Sequence, residues 1–302
     1  MTAVRPVIAS RRQGVYARLR RAMAAKQSSA AGAGGPGLLR GAKSAARNDG
    51  EGAPDVVLFA DTFNRYFEPE NIEAAITVLT AAGRRVQLPR PLTGRRPLCC
   101  GRTFLAVGLV EEARQEAERT VAALAPLAAA GMTIVGLEPS CIFGFRDEIP
   151  ALLRSQDAAR LAAQVLTFEE YVAREAKAGA FQPPLTPLAR RALLHGHCHQ
   201  KSFATMGAVE ATLRLVPSLA VETVDSSCCG MAGAFGYAAD TIDVSLKMAE
   251  LSLLPAVRAA PADALVVASG TSCRHQIRDG SEREPLHVAR VLAMSLDGGE
   301  GA

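Results

Sequence analysis

The 302 residues carry 34 Lys and Arg against 30 Asp and Glu, a formal charge of +4, with seven cysteines and no tryptophan. That length suffices for two ordinary domains or for two half-domains sharing a core; the small, odd cysteine count excludes a disulfide scaffold, and no apolar run reaches the roughly 20 residues of a membrane-spanning helix. The positive charge is confined to the start: residues 1–48 hold ten basic side chains and no acidic one, which leaves 24 basic against 30 acidic elsewhere and argues against a nucleic-acid surface on the body.

Residues 1–53 contain one short basic amphipathic stretch, Val15 to Ala25, followed by a Ser/Ala/Gly-rich run that cannot bury enough surface to order itself. They are expected to form a basic disordered leader or linker, a transit peptide and a polyanion-binding arm being the alternatives. Asp55-Val56-Val57-Leu58-Phe59-Ala60 then has the short, continuous apolar character of a strand buried on both faces. The pattern predicts a helix over Pro69 to Ala82, a strand at Val86 to Leu88 and a loop at Cys99-Cys100-Gly101. A long helix over Thr103 to Leu124 and a strand over Met132 to Leu137 follow, with Glu138-Pro139-Ser140-Cys141 on the next loop. Thr167-Phe168-Glu169-Glu170 is a capping box for a helix ending near Gly179, and Gln182 to Pro187 is a Pro-rich linker.

The order then restarts. Strands are predicted at Arg191 to His195, Leu219 to Val224 and Ala264 to Ala268, and helices at Met206 to Leu215, Asp243 to Val257 and Leu286 to Leu296. Alternating strands and helices imply parallel sheets, so the expected fold is α/β, two pseudo-symmetric Rossmann-like half-domains with small parallel sheets over 54–182 and 188–298.

The cysteines follow the duplication. Cys99-Cys100-Gly101 and Cys228-Cys229-Gly230 repeat one tripeptide, and each is followed at a similar interval by a single cysteine, Cys141 or Cys273, just past an apolar run. Adjacent cysteines are too close to form a comfortable disulfide with each other, so the pairs are better read as thiolates aimed at something else. All seven are expected on loops between a strand end and a helix start, where open parallel sheets bind ligands and helix N-termini favour the thiolate. Packing alone, a tetrahedral zinc with His197, His199 or His275 as substitute ligands, and a thiol-disulfide relay with an attacking Cys99 or Cys228 are the competing readings.

Cys-Cys-Gly twice, Glu138-Pro139-Ser140-Cys141, His197-Cys198-His199-Gln200-Lys201 and Gly270-Thr271-Ser272-Cys273-Arg274-His275-Gln276 together resemble the cysteine-rich, double Cys-Cys-Gly domain family of iron-sulfur oxidoreductases. Subunits of heterodisulfide reductase and of anaerobic glycerol-3-phosphate dehydrogenase belong to it, as does the iron-sulfur subunit of glycolate oxidase. From Val56 to Leu296 the chain is similar to the C-terminal part of fused flavin and iron-sulfur dehydrogenases of the D-lactate and 2-hydroxyacid type. Laid on the family's half-pattern, the second half supplies Cys198, Cys228, Cys229 and Cys273, with Gly270 where a further cysteine would stand. The first half has Thr62 and Glu138 at two cysteine positions and keeps Cys99, Cys100 and Cys141.

The resemblance therefore implies a metal site of Cys198, Cys228, Cys229 and Cys273, enough for a [4Fe-4S] cluster, with His199 and Gly230 beside it. Cys99, Cys100 and Cys141 are assigned to acceptor-site or thiol-redox work. His195 is expected in the core, His287 on a helix face, and Gly230, Gly233 and Gly236 lack dinucleotide spacing. The expected function is an iron-sulfur electron-transfer module of a flavin-dependent 2-hydroxyacid dehydrogenase, inactive alone. FAD would sit on a partner chain or upstream domain, a ferredoxin-like segment would be a second partner, and the expected acceptor is a membrane quinone or a similar electron acceptor. The expected location is the cytoplasm or the inner face of a membrane.

Overall fold

The structure, a computed structural model, describes residues 55–296; the leader expected over 1–53 lies outside them. Strands Val56–Phe59 (β1), Val86–Gln87 (β2), Thr133–Gly136 (β3) and Val165–Thr167 (β4) form one sheet in the order β2-β1-β3-β4, every neighbouring pair parallel. Strands Arg191–Leu194 (β5), Ala220–Thr223 (β6) and Leu265–Val267 (β7) form a second parallel sheet in the order β6-β5-β7. A single parallel bridge pairs Val267 with Leu286 in the position that β4 takes beside β3. The second sheet thus repeats the first with its fourth strand reduced to one residue.

Helices Thr62–Tyr66 (α1) and Pro69–Ala81 (α2) follow β1, and Arg102–Leu105 (α3) and Val110–Ala129 (α4) follow β2. After β3 come Pro139–Arg146 (α5), Glu148–Leu153 (α6) and Gln156–Gln164 (α7), and after β4 comes Phe168–Lys177 (α8). In the second half Cys198–Ser202 (α9) and Met206–Leu213 (α10) follow β5, Ile242–Ala249 (α11) and Leu253–Ala259 (α12) follow β6, and Thr271–Ser281 (α13) follows β7. Val288–Leu296 (α14) is the last.

Alternate residues of the central strands enter different apolar clusters, as the period of two requires. Val56, Leu58, Val135, Ala192, Leu194, Leu265 and Val267 share one cluster, whereas Val57, Phe59 and Ile134 enter a second and Leu193 and Val266 a third. The shared cluster is filled by α2, α8, α10 and α14, which pack crosswise between the halves, α2 on α14 and α8 on α10. Each sheet therefore buries its inner face with helices of the other half. Buried polar contacts add to this: Arg274, 1% exposed, pairs with Glu68; Ser269 bonds Glu169; and His287 Nε2 meets the Leu137 carbonyl at 3.1 Å.

Four expectations need correction. The long helix over Thr103 to Leu124 is broken: Gly108, at φ +78°, and Leu109 close α3 with backbone bonds to Leu105 and Phe104, and α4 then runs to Ala129. The helix over Asp243 to Val257 is also two pieces, because Pro255 would clash with the Leu251 carbonyl in a continuous helix and sits instead in the first turn of α12. Residues 139–164, without predicted elements, hold three short helices, Ser155 capping the last through Ala158 N–H. His287 is not on a helix face: it is fully buried just before α14, and its Nδ1 accepts from Ala289 N–H at 3.0 Å.

Candidate metal centre

The two halves present equivalent positions at their strand ends. Asp61 caps α1 through the amides of Phe63 and Asn64, and His197 caps α9 through the amide of His199 at 3.1 Å. Thr62 thus matches Cys198, and Phe59 matches His195, each two residues before its cap. Glu138, which accepts from the Ser140 amide, and Gly270, which has no side chain to do so, hold the N-cap positions of α5 and α13, so that Cys141 and Cys273 are third residues of a helix, and Cys198 a first, and not loop residues as expected. The Cys228-Cys229 pair lies on a loop between β6 and the short 3-10 turn Phe235–Tyr237.

In the second half the four sulfurs form a continuous chain. Cys198 bonds Cys228, Cys228 bonds Cys229, and Cys229 bonds Cys273. Cys228 is held far below the usual thiol range by its bonds from Cys198 and then Cys229, with the Gly230 N–H adding a third at 3.3 Å. Cys273 is also lowered, first by Cys229, while the histidines His195 and His197 favour its thiolate; Cys198 and Cys229 are raised because they donate to these neighbours. The shifts alternate in direction along the chain, down at Cys228 and Cys273 and up at Cys198 and Cys229, and a soft cation binding there would release the thiol protons. Cys229 and Cys273 are buried, whereas Cys198 is exposed, so the chain runs from the core to the surface.

The chain's own backbone builds this cradle. Gly230 has φ +88°, and a Cβ on it would overlap the Ser245 carbonyl oxygen, so only glycine lets the loop turn its amide onto Cys228. Lys201 on α9 donates to the carbonyls of Ser226 and Ser227, the latter at 3.0 Å, and ties the helix bearing Cys198 to the loop bearing Cys228. Gln276 Nε2 holds α11 through the Ser245 carbonyl at 3.0 Å. His197 fills the space beside Gly270 that a side chain there would need. These groups fit a soft metal: four contiguous sulfurs, amides aimed at them, and a buried imidazole.

That imidazole is His195 and not His199. A ring nitrogen of His195 and the sulfurs of Cys229 and Cys273 all lie within 4.8 Å of one another. His195 is in the core as expected, but its ring faces the sulfurs, and its proximity to the cysteine-bearing strand ends was the signal for this. His199 turns to the other half: its Nε2 lies 3.2 Å from Arg102, its ring packs on Phe143, and burial lowers it to about 4. His275 bonds Tyr237 at 2.7 Å.

The first half assembles the same positions with opposite electrostatics. Thr62 Oγ1 donates to Cys99 at 3.4 Å, and Cys100 bonds Cys141, so the three cysteines do come together. Cys100 is raised well above the usual range, first by its bond to Cys141. Cys141 accepts that bond, but burial and the carboxylates of Asp61 and Glu138 push it up to about 12. These two thiols hold their protons, which disfavours a nucleophilic or thiolate-ligand role. Glu138 reaches across the halves instead: its Oε2 accepts from Thr271 N–H at 2.8 Å at the start of α13, two residues before Cys273. Sequence reading missed this contact because it joins residues far apart in the chain.

Comparison with known proteins agrees with this layout. Residues 192–278, which hold the four-sulfur chain, match the family model described as a cysteine-rich domain, CCG. The chain is 27% identical over 255 residues to a subunit of the anaerobic glycerol-3-phosphate dehydrogenase of Escherichia coli, covering 84% of this chain and 62% of that one. It is 28% identical over 240 residues to a D-2-hydroxyglutarate dehydrogenase of Pseudomonas putida, and 26% over 243 residues to one of Escherichia coli, covering 78% and 80% of this chain but 22% of each relative. The chain thus spans about three fifths of the first relative and under a quarter of the others, and its residues 192–278 match the cysteine-rich Cys-Cys-Gly domain model.

Proposed function

We propose that this chain is the iron-sulfur electron-transfer part of a flavin-dependent dehydrogenase acting on a 2-hydroxyacid, of the D-lactate or glycolate type. Cys198, Cys228, Cys229 and Cys273 would be the ligands. The observation that carries the reading is the sulfur chain itself, four contiguous cysteines inside the family-matched segment. Similarity to a dehydrogenase subunit and to the dehydrogenases named above supports the class of partner.

A [4Fe-4S] cluster held there would accept and pass single electrons. The chain's residues do the rest. Gly230 N–H and Met231 N–H are directed at the sulfurs of Cys228 and Cys229 and stabilise negative charge on them. Met231, Leu253, Val257 and Ile277 line the buried side of the loop and exclude water. Exposed Cys198 marks the side on which an electron partner can approach. Oxidation of a hydroxyacid removes two electrons with a proton, so a flavin must stand between substrate and cluster; it is assigned to a partner chain or domain, together with a ferredoxin-like segment, and a membrane quinone is assigned as acceptor. Among the described residues no helix is long and apolar enough to cross a membrane.

Protein purified without oxygen is expected to be brown, with iron and acid-labile sulfide, and to show no hydroxyacid dehydrogenase activity until a flavoprotein partner is added. Cys273→Ser should lose the iron and Cys141→Ser should retain most of it. Stoichiometric zinc without iron, or equal iron loss in both variants, would sink the assignment.

A further inference from the structure

The second half contains a fifth donor that the four cysteines do not account for. His195 is 1% exposed, at the end of β5, with its backbone N–H bonded to the Val267 carbonyl at 2.8 Å, so the residue is pinned to the sheet. Its Nδ1 lies 2.9 Å from Ser226 Oγ, and that hydroxyl lies 3.5 Å from the Val224 carbonyl as a donor. A Ser226 proton directed to Val224 lets the serine oxygen accept from Nδ1–H, which would leave Nε2 for a metal. Nε2 is buried and bonds no nitrogen or oxygen. The ring places a nitrogen within 4.8 Å of the Cys229 and Cys273 sulfurs. A buried imidazole beside two sulfurs, with Nδ1 held by a hydrogen bond and Nε2 without a nitrogen or oxygen partner, is an arrangement by which proteins orient a metal-binding histidine.

Packing does not require a histidine at this place. The matching position in the first half is Phe59, whose ring meets Phe145 edge-on at 5.1 Å and fills the same strand end with carbon alone. The half that keeps four cysteines has the imidazole, and the half that keeps three has the phenyl ring.

Resting on the reading that this site holds an iron-sulfur centre, we infer that His195 is a nitrogen ligand of that centre, through Nε2, on its buried side with Cys229 and Cys273. With His195 there would be five donors for the four positions of a four-iron cluster, and the exposed Cys198 would be the one left unbound. A histidine in place of a thiolate leaves less negative charge on the cluster and raises its reduction potential. Ser226 is a positioning residue, acting through the tautomer it fixes.

The test uses the whole chain, purified anaerobically, as wild type and as His195→Gln, His195→Cys and Ser226→Ala, with iron and sulfide measured first. Pulsed electron paramagnetic resonance of the reduced wild-type protein should show one strongly coupled nitrogen that changes isotope when histidine is labelled with nitrogen-15. His195→Gln should lose that coupling. His195→Cys should retain iron without the coupling and at a lower potential, which separates ligation from folding, and Ser226→Ala should keep iron with a shifted potential. Iron-loaded wild type showing only the weak coupling of a hydrogen-bonded imidazole, or a strong coupling that persists in His195→Gln, overturns the ligand assignment while the iron-sulfur reading stands. Absence of iron from the wild type overturns both.

Discussion

Glu68→Gln tests how the two halves are held together. Glu68 is 5% exposed and Arg274 1%, and the guanidinium donates from Nε to Glu68 at 3.0 Å and again from Nη2. Its other donors reach the Ala268 and Ser269 carbonyls at 2.9 and 2.7 Å and Thr271 Oγ1 at 3.1 Å, so Arg274 cannot swing out to water when its partner loses charge. Removing one member of such a pair costs about 3–5 kcal/mol. A second route agrees: burial alone would raise Glu68, but Arg274, followed by His275 and Arg278, outweighs it and holds the carboxyl at about 2. From an ordinary value of 4.5 that is worth about 3 kcal/mol.

Because this folded-state value is depressed, the stabilisation is fully present above pH 4.5 and is lost as pH falls towards 2. Urea unfolding at pH 7 should therefore show Glu68→Gln destabilised by about 3–5 kcal/mol, with a melting point about 6–20 °C lower. The gap from wild type should close between pH 4.5 and 2. Arg278→Ala is the control, since Arg278 is 36% exposed at the side chain and 3.7 Å from Glu68, and should cost about 1 kcal/mol or less. A Glu68→Gln effect below about 1 kcal/mol, or one that does not change with pH, would refute the reasoning.

Gly230→Ala should lose the metal and destabilise the chain in thermal melts, because the new Cβ meets the Ser245 carbonyl; Gly233→Ala, also at positive φ but in open space, should cost about 1 kcal/mol and keep the metal. His287 is lowered to about 3 by burial and then by Arg274, so its stabilisation is full above pH 6.5 and fades as pH falls towards 3. His287→Gln should flatten the acid limb of stability across that window, by up to about 5 kcal/mol, and an unchanged limb would remove His287 from the account.

What the sequence disclosed depended on whether the signal was local. Val56–Phe59 and Leu265–Val267 are short apolar runs bounded by polar residues, which mark buried strands, and the Thr167 and Glu170 capping box reads directly and is present in the structure. The break at Gly108 was hidden because the residues on both sides of it favour helix, and residues 139–164 because three short helices give too few turns for a period to stand out. At the site, Thr62 and Cys99 were placed together by the duplicated pattern. The Glu138 contact with Thr271, 133 residues away, and the pairing of Glu68 with Arg274, 206 residues away, depend on how the two halves dock. No window of sequence contains that information.

The docking also bears on how the two halves differ. At matched positions the second half has His195, His197, Cys198 and Gly270, and the first has Phe59, Asp61, Thr62 and Glu138. Histidines beside sulfur favour the thiolate, and the influence of His195 and His197 on Cys273 has that sign; Asp61 and Glu138 have the opposite effect on Cys141. A carboxylate at 138 works against a thiolate in its own half, yet it accepts the first amide of α13, the helix that carries Cys273, and faces His197 and Arg274. This one carboxylate therefore disfavours a thiolate at Cys141 and braces the helix that carries Cys273. The first half thus supports the helix that carries Cys273: Glu68 and Glu138 lie in one half, and the groups they hold, Arg274 and Thr271, lie in the other.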